Sequence, residues 1–345
     1  MAPITMACAG DVMINRPDAQ SMLQHVAGIL KSADVAYCNL EGPMCDVGEK
    51  HPGKAGISLH LRSTPSVAQA LAGAGIDVVS LANNHALDYG VAGLDQTITL
   101  LDDVRIARAG AGRNLAAARQ PALLEVNGVR IALLSYASVC ISPFAATATT
   151  PGLAMVRINT SYAANLRLFQ QPGSPMLTRT VGEPEDVAML LDDVKAAKAR
   201  ADVVIVAWHW GVSERWGKLA DYQRELGRVV IDAGASAILG HHAHMLLGVE
   251  FYRGCPIFYS LGNFAFDLDH PYFRRESAIV LCDVSHDGIA NVRMIPVLIN
   301  DHHEPVPVRA DGDGQKVVWF LEYLSEGLNT TFTSRGEEVE LLAQS

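Results

Sequence analysis

Short apolar runs recur along this chain, and several stop abruptly on Asp, Glu, Asn or His. The run 235–239 leads into Gly240, His241, His242, Ala243 and His244. The run 4–10 leads into Asp11, 34–40 ends on Asn39 and leads into Glu41, 76–81 leads into Asn83, Asn84 and His85, and 202–208 into His209. Runs of this length read as buried strands, and strand ends hold side chains rigidly at the rim of a sheet. The pattern therefore favours a fold in which these strand ends gather.

Helical patterns fall between the runs, at about 18–30, 65–74, 91–102, 184–200 and 219–233, with further strands at 121–126 and 129–137. Strands alternating with helices imply βα units and a mainly parallel sheet. Past the histidines, strand patterns at 247–252, 256–261, 277–284 and 290–299 follow one another closely, separated by turns such as Arg253-Gly254 and Asp287-Gly288. That spacing suggests antiparallel hairpins. A helix near 313–326 and a charged tail are expected to finish the chain. Residues 141–182 hold Pro143, Pro151, Pro172 and Pro175 and read as an irregular insertion or lid. With no repeat or low-complexity linker, residues 1–345 are expected to form one domain.

The balance of 27 basic against 37 acidic residues gives a net charge of −10. This argues against nucleic acid, because phosphate binding needs a basic surface. The six cysteines (Cys8, Cys38, Cys45, Cys140, Cys255 and Cys282) form no CxxC pair and read as buried apolar residues of a reducing compartment. No apolar run approaches the roughly 18 residues of a membrane span, and the first residues read as a strand rather than a signal peptide. The expectation is a cytoplasmic protein without a membrane anchor.

The polar strand ends have chemistry in common. Imidazole is the commonest side-chain ligand for transition metals, and carboxylate and amide oxygens suit divalent cations. His242 and His244, two apart, point the same way on an extended backbone, and Asn39 and Glu41 share a face by the same rule. Taken alone, Asp11 reads more simply as a cap for the following turn, and His209 as a packed core residue. Together the segments form one mixed nitrogen and oxygen ligand set without cysteine. A glutamate such as Glu41 can bridge two cations. His85 is placed as a general acid, with Asp88 as the group that orients it. Glu214 lies close enough in sequence to His209 to support it or face substrate. Trp210, Trp216, Tyr272 and Phe273 either line a pocket or pack.

The strings GDVMINR (10–16), NLEGP (39–43), VVSLANNHALDYG (78–90), AWHWG (207–211), LGHHAHMLLGVE (239–250) and YSLGNFAFD (259–267) resemble the poly-gamma-glutamate capsule protein CapA family, within the calcineurin-like metallophosphoesterases. The resemblance spans roughly residues 4–300 and implies a four-layer α/β/β/α sandwich with mixed sheets. It implies metal ligation by Asp11, Glu41, Asn84, His209, His242 and His244, with His85 as the acid. One or two divalent ions are expected, from among Zn, Mn and Fe. His241 reads as a support for the ligands or a contact to substrate. Two departures stand out. Met13 occupies a position where phosphoesterases carry a histidine, and Glu41 stands where the wider superfamily uses Asp.

The leading expectation is a metal-dependent hydrolase of an amide, gamma-glutamyl-like bond in a small or oligomeric anionic substrate. Arg16 and Arg62 are candidate anchors for its carboxylates, and Asn39, Asn263 and His241 are candidate contacts. Either arginine reads equally as a surface ion-pair partner. The alternatives are a phosphoesterase, which Met13 counts against, and a non-catalytic capsule biosynthesis factor.

Overall fold

The computed structural model describes residues 3–54, 56, 59–213, 217–271 and 273–344. Glu214, Trp216 and Tyr272 lie outside the described residues. Two mixed sheets carry the fold. In the larger, Ile4–Met13 is central. The parallel strands Val35–Leu40, Val78–Ser80 and Ala107–Ala109 extend from one side of it. Glu276–Ser285, Gly288–Ile299 and the hairpin Thr330–Arg335/Glu338–Ala343 extend antiparallel from the other. Asn263–Phe266 pairs in parallel with the end of Ile4–Met13. In the smaller sheet, Val129–Ala137, Val203–His209, Ala237–His241 and Cys255–Phe258 run parallel, bordered by Ala122–Val126 and Val249–Tyr252.

Alternation along these strands builds the expected four layers. Met6, Cys8 and Tyr37 of the larger sheet meet Ile205 and Leu239 of the smaller in a dry interface. The next residues along, Ala7, Ala36, Cys38 and Val79, pack outward on Leu30, Val67, Leu71 and Leu101, from the helices Ala27–Ser32, Val67–Ala74 and Gly90–Asp103. Val204, Val206 and Ile238 are covered by Leu190 and Val194 of Pro184–Lys198 and by Leu226 and Val230 of Asp221–Asp232. Burial of apolar faces on both sides of a sheet is the main driving force for such a stack. The parallel strands of both sheets end at the same rim, which is where open α/β sheets place their sites.

Three expectations need correction. The pattern at 18–30 is not one helix: a 3-10 turn Ser21–Leu23 precedes the helix Ala27–Ser32, with Asp18 Oδ1 accepting from the Ser21 amide at 3.2 Å. The charged tail is the hairpin 330–343, whose Val339 and Leu341 are buried while its charges face water. The stretch 141–182 is only partly irregular. It buries Phe144, Leu153, Ala154 and Val156 and then forms a hairpin of Ile158–Ala163 with Leu177–Gly182.

Candidate metal centre

A slip in strand register brings Asp11 into the site. Ala7 and Ala9 face the outer helices, so strict alternation would send Asp11 outward with them. Cys8 pairs with Tyr37 but Asp11 pairs with Asn39, so the first strand gains one residue between those positions. Such a bulge turns the following side chains over. Asp11 therefore faces the second sheet and Val12 packs outward. Gly10 makes this possible, because a Cβ there would lie 2.0 Å from the Gly262 carbonyl oxygen.

Asp11 sits in a closed ring of buried side chains that joins the two sheets. Asn39 Nδ2 donates to Asp11 Oδ1 at 2.9 Å, and the Ser80 hydroxyl donates to Asn39 Oδ1 at 2.8 Å. That leaves the Tyr37 hydroxyl to donate to Ser80 Oγ at 2.7 Å. His241 closes the ring, with Nε2 2.7 Å from Tyr37 and Nδ1 2.7 Å from Asp11.

Around Glu41 the ligand atoms converge. His209 Nε2 lies 3.8 Å from Glu41 Oε1, 2.7 Å from Asn84 Oδ1 and 3.2 Å from His242 Nδ1. His244 Nε2 is 3.7 Å from the same Glu41 oxygen. Asp11, Glu41 and His209 each bring a ligand atom within 4.8 Å of the others. Metal–ligand distances near 2.1 Å in a tetrahedral site imply ligand atoms about 3.4 Å apart, so most of this spacing suits a cation. The two histidines do not converge by strand alternation as expected. The strand ends at His241, and His242 and His244 take left-handed backbone with φ of 92° and 54°. For residues with a Cβ this costs on the order of 1–3 kcal/mol each and recurs at ligand clamps.

The electrostatics point the same way. Burial, then the neighbouring Asp11 charge, push the Glu41 carboxyl well above the ordinary range. Burial also raises Asp11, but His241, His244 and Asn39 outweigh it and leave Asp11 below its usual value. Burial, reinforced by the other imidazoles, holds His209 well below the usual histidine range and His242 down to about 3. His244 is lowered as well, chiefly by burial. Burial thus favours the neutral form of all three imidazoles, which offers a lone pair to a cation. Asp11 Oδ2, both oxygens of Glu41 and His209 Nδ1 are buried without a hydrogen-bond partner among the described residues. Clustered orphan oxygens are costly in a dry interior, and a divalent cation is the group that fits them. Glu41, Asn84, His209 and His242 would hold one ion, and Asp11 and His244, which also approach Glu41, extend the set.

His85 borders the ligands. Its Nδ1 is 2.6 Å from Asp88 Oδ2, as the pattern suggested. Asp88 also accepts from the Leu61 amide at 2.7 Å. Sequence reasoning passed over Lys54, which is buried and donates to Asp88 Oδ1 at 2.5 Å and to the Asn84 carbonyl at 3.1 Å. Its Nζ also stands 3.1 Å from His85 Nδ1. A lysine in the 3-10 turn Pro52–Lys54 carries no sequence signal for burial. Tyr37 was missed as well, being one more aromatic in an apolar strand.

The remaining candidates are placed as follows. Asn39 and His241 support Asp11 with the atoms expected to meet substrate. Asn263 Oδ1 is 2.9 Å from His244 Nδ1, which aims that ring at Glu41. The Arg16 guanidinium bonds Asp267 at 2.9 and 2.7 Å and the His302 carbonyl at 2.7 Å. Arg62 is exposed and lies over the Tyr89 ring, 4.6 Å from its centroid. Met13 packs with Leu61 and Phe266 in a small apolar cluster that Phe273 borders. Trp210 is fully buried and stacks on Trp208 and Tyr259.

The chain is 32% identical over 326 residues to the PGA biosynthesis protein CapA of Bacillus subtilis, covering 91% of this chain and 76% of that one. It is 31% identical over 322 residues to the capsule biosynthesis protein CapA of Bacillus anthracis, covering 91% and 72%. A solved purple acid phosphatase from yellow lupin seeds overlaps 88% of the chain and 53% of its own, at 7% identity and a TM-score of 0.37. The bacterial capsule synthesis protein family PGA_cap matches residues 5–268, which include every residue of the candidate metal centre, and the chain belongs to that family.

Proposed function

We propose that the chain is a metal-dependent hydrolase acting on an amide bond of a carboxylate-bearing, gamma-glutamyl-like substrate. The observation that carries this reading is the pair of buried, unpartnered Glu41 oxygens among His209, His242, His244 and Asn84, with the His85–Asp88 pair alongside. When bound there, a divalent cation supplies Lewis acidity toward an acyl oxygen and water. The protein's own residues do the rest. Asp88 holds His85 through Nδ1, and burial favours the neutral ring, which leaves the Nε2 lone pair to take a proton from the attacking water and pass it to the leaving amine. Lys54 balances the Asp88 charge and ties it to the Asn84 backbone. The Arg62 guanidinium, held over Tyr89, is free of ion pairs among the described residues and offers two parallel donors to a substrate carboxylate. The printed names of the two relatives, which speak of PGA and capsule biosynthesis, favour a glutamyl substrate over a phosphoester, as does the apolar Met13.

The test compares turnover of a gamma-glutamyl anilide and of nitrophenyl phosphate by the metal-loaded protein and by His85→Gln, with metal content measured in both. Loss of anilide turnover by about 100-fold or more in His85→Gln at unchanged metal content is the expected result. Phosphate turnover alone would replace the amide reading. No turnover of either by a fully loaded protein would favour a biosynthesis factor that binds but does not cleave.

A further inference from the structure

Two exposed patches lie away from the metal ligands, and each lacks what the other has. The first is the hairpin of Ile158–Ala163 and Leu177–Gly182, paired from Gly182 with Ile158 to Leu177 with Ala163. It stands as a ribbon roughly 20 Å long with both outer edges unpaired among the described residues. Two-stranded ribbons are marginal in water and gain stability from a surface to pack on. Tyr162 is 70% exposed, Leu166 81% and Val181 53%. Between residues 158 and 182 the only charged side chains are Arg167 and Arg179, in a chain of net charge −10.

The second patch is a cleft of about 490 Å³ between the helix Gln315–Leu324 and the C-terminal hairpin. Trp319 and Tyr323 stack in it, 6.0 Å apart and 15° from parallel, and are 66% and 64% exposed. Among the described residues its only charged lining side chains are Glu322 and Glu326. Neither these glutamates nor Arg167 and Arg179 form an ion pair among the described residues. A contiguous exposed apolar patch of this kind marks an interaction surface. Guanidinium groups bind both carboxylates and aromatic faces, so the arm matches the cleft in charge and in apolar character.

Both patches border the helix Asp221–Asp232. At one side the Tyr222 amide donates to Thr180 Oγ1 at 3.3 Å, and at the other Arg224 donates to the Gly327 carbonyl at 3.0 Å. Patches flanking one helix can meet their counterparts about a two-fold axis, which gives a closed, self-complementary contact. We propose that the chain pairs with a second copy of itself, the arm 158–182 of each protomer lying in the aromatic, acidic cleft of the other. This does not depend on the chemistry of the metal centre.

The experiment is sedimentation velocity on the full chain at about 1–100 µM, with two charge-reversed double variants, R167E/R179E and E322R/E326R. The wild type is expected to be dimeric. Each variant should keep its circular dichroism, since all four side chains are exposed, and should weaken pairing by about 100-fold or more. An equimolar mixture should regain dimer, because the reversed arm of one variant matches the reversed cleft of the other. A monomeric wild type, a variant that stays dimeric, or a mixture that stays monomeric would each overturn the proposal. Arm-dependent flotation of a monomeric wild type with phosphatidylglycerol vesicles would overturn it in favour of an anionic lipid surface.

Discussion

The two groups of residues that flank Glu41 are built differently. In one, His209, His242 and Asn84 stand close together, with His209 Nε2 3.8 Å from the Glu41 Oε1 that His244 also approaches. In the other, His244 and Asp11 complete the set, and Asp11 already spends one oxygen on Asn39 and His241. Met13 packs on Leu61 and on Phe266, whose ring meets that of His244, and brings no nitrogen or oxygen ligand. The difference teaches that side chains gathered around one carboxylate need not be equally free to hold an ion. Ligand number and freedom set affinity, so the His209 side is expected to bind its ion tightly and the Asp11 side weakly.

The sharpest way to break this comparison is to remove a ligand from one group and the support behind a ligand from the other. His209→Ala should weaken the tight site by more than about 100-fold in chelator competition, whereas Tyr37→Phe, which opens the ring behind Asp11, should cost about tenfold and only at the weak site. Equal losses would mean that the flanks are equivalent. Proton counting sharpens it further. Burial and the Asp11 charge raise the Glu41 carboxyl and so favour its protonated form in the metal-free protein, while burial favours the neutral form of the imidazoles. Metal uptake near neutral pH should then release about one proton, and affinity should rise by up to tenfold per pH unit until Glu41 ionises. Calorimetry in buffers of different ionisation enthalpy reads this directly, and release of no proton would show that Glu41 is already charged. The smallest change is expected from Met13→His. It should raise the metal content from about one to about two per chain by elemental analysis, while placing a polar ring in the apolar cluster at a cost of about 1–3 kcal/mol. An unchanged metal content would show that Met13 is not what limits the weaker flank.

Much of this was legible from local pattern. Apolar runs ending in polar residues located the strands and the rim where the site lies. Asp11, Glu41, Asn84, His209, His242 and His244 were all picked out by residue type and motif, and His85 with Asp88 by spacing. What was missed has no local signature. Nothing in the run 51–54 marks Lys54 as buried, because its partners Asp88 and Asn84 lie some thirty positions away. The C-terminal hairpin looked like a charged tail because its buried residues are few and flanked by glutamates. The irregular stretch at 141–182 hid an exposed hairpin, whose pairing is settled across more than a dozen intervening positions.

By itself the sequence determined the alternation of strands and helices and the polar residues on which the strands end, since periodicity and residue chemistry are local properties, while the four layers came from the family resemblance. Only the tertiary structure decided how those side chains meet. The bulge that turns Asp11 inward depends on Gly10 lying against Gly262, and the convergence of His242 and His244 depends on left-handed backbone that extended alternation does not provide. Close approach and register are set by contacts between distant segments, and such contacts are not written in any short stretch of chain.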